Sequence, residues 1–443
     1  MAAGWVGNQS TKNKAQSIKI ESATRMDSRK IFHKFISGGD TTFILYALCS
    51  ILLINKPMKK ILFLILISSS LFAQKIDVDK QIALAGQQYQ LMLAARPDTS
   101  TTIHSAKQDG SYSNKPSSWW CSGFFPGGLW YIFEKTKDPK WESAARLWTA
   151  AVKKEQFNTG THDLGFMMFD SFGNGLRLTK DPEYKKVLIQ SAKSLATRFD
   201  PNIGLIKSWN GFKGGYKYPV IIDNMMNLDL LFWASTETGD PRFRQIALTH
   251  ADNTMKHHFR PDYSSYHVIC YDVDGKVLAK KQHQGYQDES TWTRGHAWAM
   301  YGYVEMYRNT KDSKYLDFAQ KISDFYLNHP NMPADKVPYW DFYAPNIPTE
   351  ERDASAAAIA ASALLELSTY SGEKGKRYYA DAVKMLESLS SPAYRAALGE
   401  NNHFLIKHCV GAKSLNSEID VPLIYADYYY LEGLLRYQKM AKK

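Results

Sequence analysis

The sequence is poor in cysteine, with four in 443 residues, none in a Cys-x-x-Cys pair and none near histidine at zinc-ligand spacing. That excludes a disulfide scaffold and a structural zinc module. Cys121, Cys270 and Cys409 read as buried thiols, with at most one pair able to bridge in an oxidising compartment. Long basic runs are missing too. The formal charge is +11, but residues 1–73 hold 10 Lys/Arg against 3 Asp/Glu, and residues 74–443 hold 45 against 41. A main body at +4 gives no electrostatic footprint for a nucleic acid. No linker rich in Pro, Gly or Ser divides residues 74–443, so they read as a single domain. No uninterrupted apolar run reaches membrane-spanning length.

Near the N-terminus an export signal is legible. Met58-Lys59-Lys60 is a positive start, Ile61 to Ile67 is apolar, and the stretch ends on Ala73. Residues 58–73 are therefore expected to be a signal peptide, with export to a periplasm. Residues 1–57 are expected to be an upstream extension that is not native to the protein. An earlier apolar run, Phe43 to Ile54, leaves a membrane anchor as the competing reading, although Asn55-Lys56-Pro57 interrupts it. No Cys follows the apolar stretch, which argues against a lipid anchor.

What the chain has in quantity is helical pattern, apolar residues (44%) and aromatics (13%). A short turn recurs between helices: Thr136-Lys137-Asp138-Pro139-Lys140-Trp141, Thr179-Lys180-Asp181-Pro182-Glu183-Tyr184 and Thr238-Gly239-Asp240-Pro241-Arg242-Phe243. Thr310-Lys311-Asp312-Ser313-Lys314-Tyr315 lacks the proline, and Ser371 to Tyr378 is a degenerate fifth copy. Asp caps the next helix, Pro fits its first turn, and the aromatic packs backwards. Spacings of 43, 59 and 72 residues between the Asp positions are too irregular for a solenoid. Five such turns plus a helix pair around 428–443 predict six hairpins closed into an all-α (α/α)6 barrel. A small β-hairpin insertion is expected where Tyr266–Tyr271 and Lys276–Ala279 flank Asp272-Val273-Asp274-Gly275. That turn lacks the later ligands of a calcium loop, so no metal site is expected.

Four segments put polar chemistry where a helix core should be apolar. Trp119-Trp120 precede a Gly/Pro-rich turn, where they can stack a sugar ring or simply fill core. Asp163 follows Thr161-His162 among apolar residues, as a site acid or an N-cap. Asp223 and Asn227 stand four apart in Ile222-Asp223-Asn224-Met225-Met226-Asn227, hence on one helical face. A carboxyl there loses solvation, which favours the protonated form a general acid needs, unless it is a structural Asp. Finally, Gln284 to Trp298 contains Trp292, Arg294 and Trp298. Arg294 can pair with a substrate carboxylate, or internally with Asp288 or Glu289. Two acids on separate hairpins, tryptophans and an Arg together describe a site for an acidic sugar.

At these segments, from about Gln81 to Lys443 and including Asp420-Val421-Pro422-Leu423-Ile424-Tyr425, the sequence resembles the unsaturated glucuronyl hydrolases of glycoside hydrolase family 88. The resemblance implies an (α/α)6 barrel that removes 4,5-unsaturated glucuronic acid from the non-reducing end of lyase-generated oligosaccharides. The reaction it implies is hydration of the C4–C5 double bond, with no cofactor. It assigns Asp223 as general acid and base and Asp163 as partner carboxylate. It places Trp120, Asn224, His267, Gln284, Trp292, Arg294, Trp298 and Ser414 against the substrate, an anionic oligosaccharide, sulfated or not. The loop Gly411 to Ser417 departs from the Ser/Lys pattern of sulfate-preferring members. The nearest alternative is an unsaturated rhamnogalacturonyl hydrolase acting on pectin fragments. A non-catalytic sugar-binding barrel is the alternative from another class.

Overall fold

Each recurring turn does what its residues dictate. Asp138, Asp181, Asp240 and Asp312 accept the backbone N–H two residues on, at 3.0 Å in every case, and so cap the following helix. The residue before each Asp ends the preceding helix in the left-handed region: Lys137, Lys180 and Lys311 at φ 57°, 60° and 58°, and Gly239 at φ 74°. Only the third turn uses the residue that adopts this geometry without steric cost. Tyr184 packs back on Phe172, ring centroids 5.0 Å apart.

The computed structural model describes residues 76–107 and 109–441; the proposed signal and upstream extension lie outside them. Helix α1 (Val78–Ala95) comes first, followed by the pair α2 (Phe124–Thr136) and α3 (Pro139–Ala151). A π-helical segment, Gly165–Gly173, continues into α4 (Asn174–Thr179), which turns into α5 (Pro182–Ala196). A 3-10 segment, Ile222–Asn227, leads into α6 (Leu228–Thr238) and then α7 (Pro241–His257). The remaining pairs are α8 (Thr293–Thr310) with α9 (Ser313–Asn328), and α10 (Ala354–Ser368) with α11 (Gly372–Ser390). The last helix is α12 (Ile424–Ala441).

The first helix of each pair faces inward. Helix α12 packs on both α10 and α2, α10 on α8, α8 on the 3-10 segment that leads into α6, α2 on the π-helical segment, and the π-helical segment on the 3-10 segment, which closes a ring. The inner helices are correspondingly apolar. Alanine-rich α10 is buried along nearly its whole length, and its small side chains let α8 and α12 approach from both sides. The expected (α/α)6 barrel is therefore present, with one correction. The helix pair expected around 428–443 is not formed by the described residues, which reach 441: α12 is a single helix, and its outer companion is α1 from the start of the domain.

The β structure exceeds the expected hairpin. Strands β1 (Thr102–Ala106) and β2 (Tyr112–Lys115) pair, as do β3 (Phe199–Asp200) and β4 (Leu205–Ile206). β5 (Tyr218–Ile221), β6 (Val268–Tyr271) and β7 (Val277–Lys281) form a three-stranded sheet, and β8 (Cys409–Ala412) pairs with β9 (Ser417–Val421). The β6–β7 hairpin lies where the sequence placed it. Asp272 serves its turn, accepting from the N–H groups of Asp274 and Lys276 at 3.0 and 2.8 Å. The extra strand β5 could not be seen locally, because its pairing partner lies some fifty residues on. All three described cysteines are buried and free.

Candidate active site

The barrel gathers its polar chemistry at the N-terminal ends of the inner helices. Trp120 precedes α2, Asp163 the π-helical segment and α4, and Asp223 lies in the turn that enters α6. Trp292 and Arg294 begin α8, Asp353 caps α10 through the N–H of Ser355, and Tyr425 lies in the first turn of α12. Six hairpins thus each send a side chain to one mouth.

Asp223 is 7% exposed. The segment carrying it is 3-10 rather than α, so residues four apart do not share a face. This corrects the expectation for Asn227. Its Oδ1 accepts the Phe166 N–H at 3.1 Å instead, tying the segment to the neighbouring hairpin. The approach is close enough that a Cβ on Gly165 would lie 2.6 Å from the Asn227 Cα, so only glycine fits there.

The β5–β6 register brings His267 to Asp223. Ile221 pairs with Val268, and the Ile222 N–H donates to the His267 carbonyl at 3.0 Å. His267 Nε2 then lies 3.4 Å from Asp223 Oδ2. His267 Nδ1 accepts the Gln284 N–H at 3.3 Å, which leaves Nε2 as the ring nitrogen that carries a proton, toward Asp223.

Asp163 is not a side-chain N-cap. Its Oδ2 accepts from the Thr161 hydroxyl at 2.8 Å, and its Oδ1 lies 3.3 Å from Nε2 of buried His162. Burial raises the Asp163 pKa and the charge of Asp223 raises it further, against the opposing pull of His162, Thr161 and Arg198. Burial likewise lowers the His162 pKa, keeping the imidazole neutral.

The other expected residues divide into wall and support. Trp120 is half-buried and stacks obliquely on Tyr425, centroids 5.0 Å apart, with Phe166 at 5.6 Å. Trp298 is fully buried against Phe166 at 4.9 Å, with its indole N–H unpartnered among the described residues. Trp292 lies between His267, centroids 4.5 Å apart, and Arg294, whose Cζ is 4.5 Å from the ring. Gln284 Nε2 donates to the Gly411 carbonyl at 3.1 Å. Ser414 is exposed, its hydroxyl donating to the His283 carbonyl at 2.7 Å. Asn224 is fully buried, and its Nδ2 donates to the Ile206 carbonyl at 2.8 Å.

Arg294 is 1% exposed, and its partner is neither Asp288 nor Glu289. It pairs with Asp353 at 2.7 Å and donates to the Val410 and Gly411 carbonyls, the latter at 2.6 Å. Asp288 pairs with Lys281. Arg294 thereby anchors the β8 wall of the site, and its Nε is unpartnered among the described residues.

Sequence reasoning passed over His162, His283, Trp209 and Asp353. Burial lowers the His283 pKa to about 4, and its ring sits 5.0 Å from Trp209. Asp353 carried a usable signal: it precedes its inner helix much as Asp163 and Asp223 precede theirs.

Residues 96–441 match the family model for Glycosyl Hydrolase Family 88. An unsaturated glucuronyl hydrolase of Formosa agariphila is 48% identical over 330 residues, covering 74% of this chain and 82% of the relative. One from Bacillus sp. (strain GL1) is 34% identical, covering 75% and 90%. A solved unsaturated glucuronyl hydrolase specific for heparin superposes with a TM-score of 0.80 at 46% identity, covering 83% of this chain and 98% of that one. With the barrel, the paired acids and these matches in agreement, this chain belongs to glycoside hydrolase family 88.

Proposed function

We propose that the chain is an unsaturated glucuronyl hydrolase that releases 4,5-unsaturated glucuronic acid from the non-reducing end of lyase-generated oligosaccharides. The observation that carries this is the pair Asp163 and Asp223. They are two buried carboxyls on neighbouring hairpins, each beside an imidazole, close enough that the charge of one raises the pKa of the other.

An enol ether needs a proton delivered to C4. Asp223 protonates C4, and the positive charge that develops is shared between C5 and the ring oxygen, where Asp163 stabilises it. Water adds at C5 and returns a proton to Asp223. The hemiketal then opens, and the glycosidic bond at C1 breaks with release of the remaining oligosaccharide. One water is consumed and the acid is regenerated. Trp120 supplies the stacking face, and Gln284, Trp292 and Arg294 hold the walls around the uronate. The relative specific for heparin puts sulfated glycosaminoglycan disaccharides first among substrates to try. Export through residues 58–73 is part of the same reading, with a mature chain starting near Gln74.

The test is loss of ultraviolet absorbance from the conjugated uronate, measured on lyase products of glycosaminoglycans, ulvan and pectin. Turnover of a glucuronyl substrate is expected, falling by about 10²- to 10⁴-fold in Asp223→Asn and in Asp163→Asn with the fold retained. Turnover of the pectin product alone would favour the rhamnogalacturonyl reading. No turnover of any product by folded protein would favour a sugar-binding barrel.

A further inference from the structure

At the opposite end of the barrel, among the C-terminal ends of the inner helices, lies a cavity of about 690 Å³. That volume suits a small organic ligand. The charged groups on its wall are unevenly paired. Glu134 is held by Arg177 and Lys439, Asp229 by Arg308, Glu237 by Lys185 and Glu432 by Arg436. Two further carboxyls each keep one oxygen without a hydrogen-bond partner among the described residues. Asp170 accepts only from the Tyr428 hydroxyl, at 3.1 Å, and its Oδ2 has no hydrogen-bond partner among the described residues. Glu305 is 7% exposed; one oxygen lies 3.3 Å from Arg308, and Oε2 is unpartnered among the described residues. Half-buried Phe169 and Trp233, centroids 6.0 Å apart, add aromatic faces to the same wall.

We propose that this cavity binds a small organic cation bearing a primary ammonium group, held by the carboxylates of Asp170 and Glu305 beside Phe169 and Trp233. An ammonium supplies both the charge and the N–H donors that these oxygens lack, and an aromatic face attracts it further. Among the described residues no three metal-ligating side chains gather anywhere, so an inorganic ion is the poorer fit. Burial pushes the pKa of Asp170 and of Glu305 well above the usual carboxylate range, so the empty cavity disfavours their charged forms. The charges felt by Glu305 are Asp229, Arg308, Glu366 and Glu432; Asp170 feels Glu432, Asp229 and the Tyr428 hydroxyl. A cation bound beside them favours those charged forms, so binding is expected to release protons.

Titration calorimetry on the full chain tests this, with 1,4-diaminobutane and glucosamine as probes and 1,4-butanediol and glucose as uncharged controls. Saturable binding of at least one amine is expected, with a heat that changes with the ionisation enthalpy of the buffer as protons leave. The stronger amine then identifies the source as a free polyamine or an amino sugar. Binding should weaken at least tenfold in Glu305→Gln or in Asp170→Asn, two near-isosteric variants that remove the charge and keep the side-chain volume. It should persist in Asp223→Asn, which separates this cavity from the catalytic mouth. The proposal is overturned by no binding of either amine, by equal binding of the uncharged controls, by undiminished binding in both folded cavity variants, or by loss of binding in Asp223→Asn.

Discussion

His267 presents Nε2 to Asp223 Oδ2 at 3.4 Å while its Nδ1 accepts the backbone N–H of Gln284 at 3.3 Å. One strand register produces the first contact and the following loop the second, so the imidazole is oriented from both sides. The orientation holds the imidazole beside the Asp223 carboxyl and limits where that carboxyl can turn.

Replacing His267 by Ala is expected to lower kcat about 10- to 100-fold, because it removes the imidazole packed beside Asp223 and lets the carboxyl leave the position that proton transfer needs. KM should change far less. Steady-state kinetics on the unsaturated disaccharide checks the split, and an unchanged kcat would separate His267 from the proton transfer.

Arg294 and Asp353 form a fully buried pair at 2.7 Å. Arg294→Ala leaves the Asp353 carboxylate uncompensated in the interior, which should cost about 3–5 kcal/mol of stability. Denaturant unfolding measures it. Loss of substrate affinity with stability intact would instead make Arg294 a direct uronate ligand.

Asp427 supplies a pH signature away from the site. It is buried, and although it accepts the N–H groups of Leu405 and Ile406 at 2.9 and 3.0 Å, burial raises its pKa to about 7. Its folded pKa lies above the unfolded value of about 3.9, so the folded state holds the extra proton between them. Its contribution is complete below the unfolded pKa and is lost as pH rises through about 7. Relative to Asp427→Asn, the parent protein should therefore lose about 3 kcal/mol of stability between pH 4 and pH 7, and little beyond pH 8. Unfolding free energies of both proteins across that range test the sign. A parent that gains stability relative to the variant would refute it.

The turns allow a matched pair of substitutions. Gly239→Ala, at φ 74°, should cost about 1 kcal/mol, whereas Lys311→Gly, at φ 58°, should gain a similar or smaller amount. Asp181→Ala removes a cap and should cost about 1 kcal/mol. Thermal unfolding of the three variants reads all of these, and a stabilised Gly239→Ala would contradict the turn geometry.

Much of this protein was legible from local order. A Thr-x-Asp-Pro turn repeats because capping chemistry acts over a few residues, and counting its copies leads to the six-hairpin barrel. Asp163, Asp223 and the Trp292–Trp298 segment stood out because acids and amides interrupt apolar helix patterns. Partnerships between distant segments were not legible. Arg294 was expected to meet a neighbouring acid or a substrate, yet its partner lies 59 residues away. Asp223 and Asn227 were expected on one face, but the backbone tightened into a 3-10 turn. There Asn227 could satisfy the Phe166 N–H and Asp223 could face the β6 strand. Helix α1 found its place beside α12 only because closing a ring joins the two ends of the domain. Short-range hydrogen bonding and hydrophobic period are properties of the sequence itself. Ring closure, strand register and the pairing of buried charges depend on which surfaces meet, and only the tertiary structure decides that.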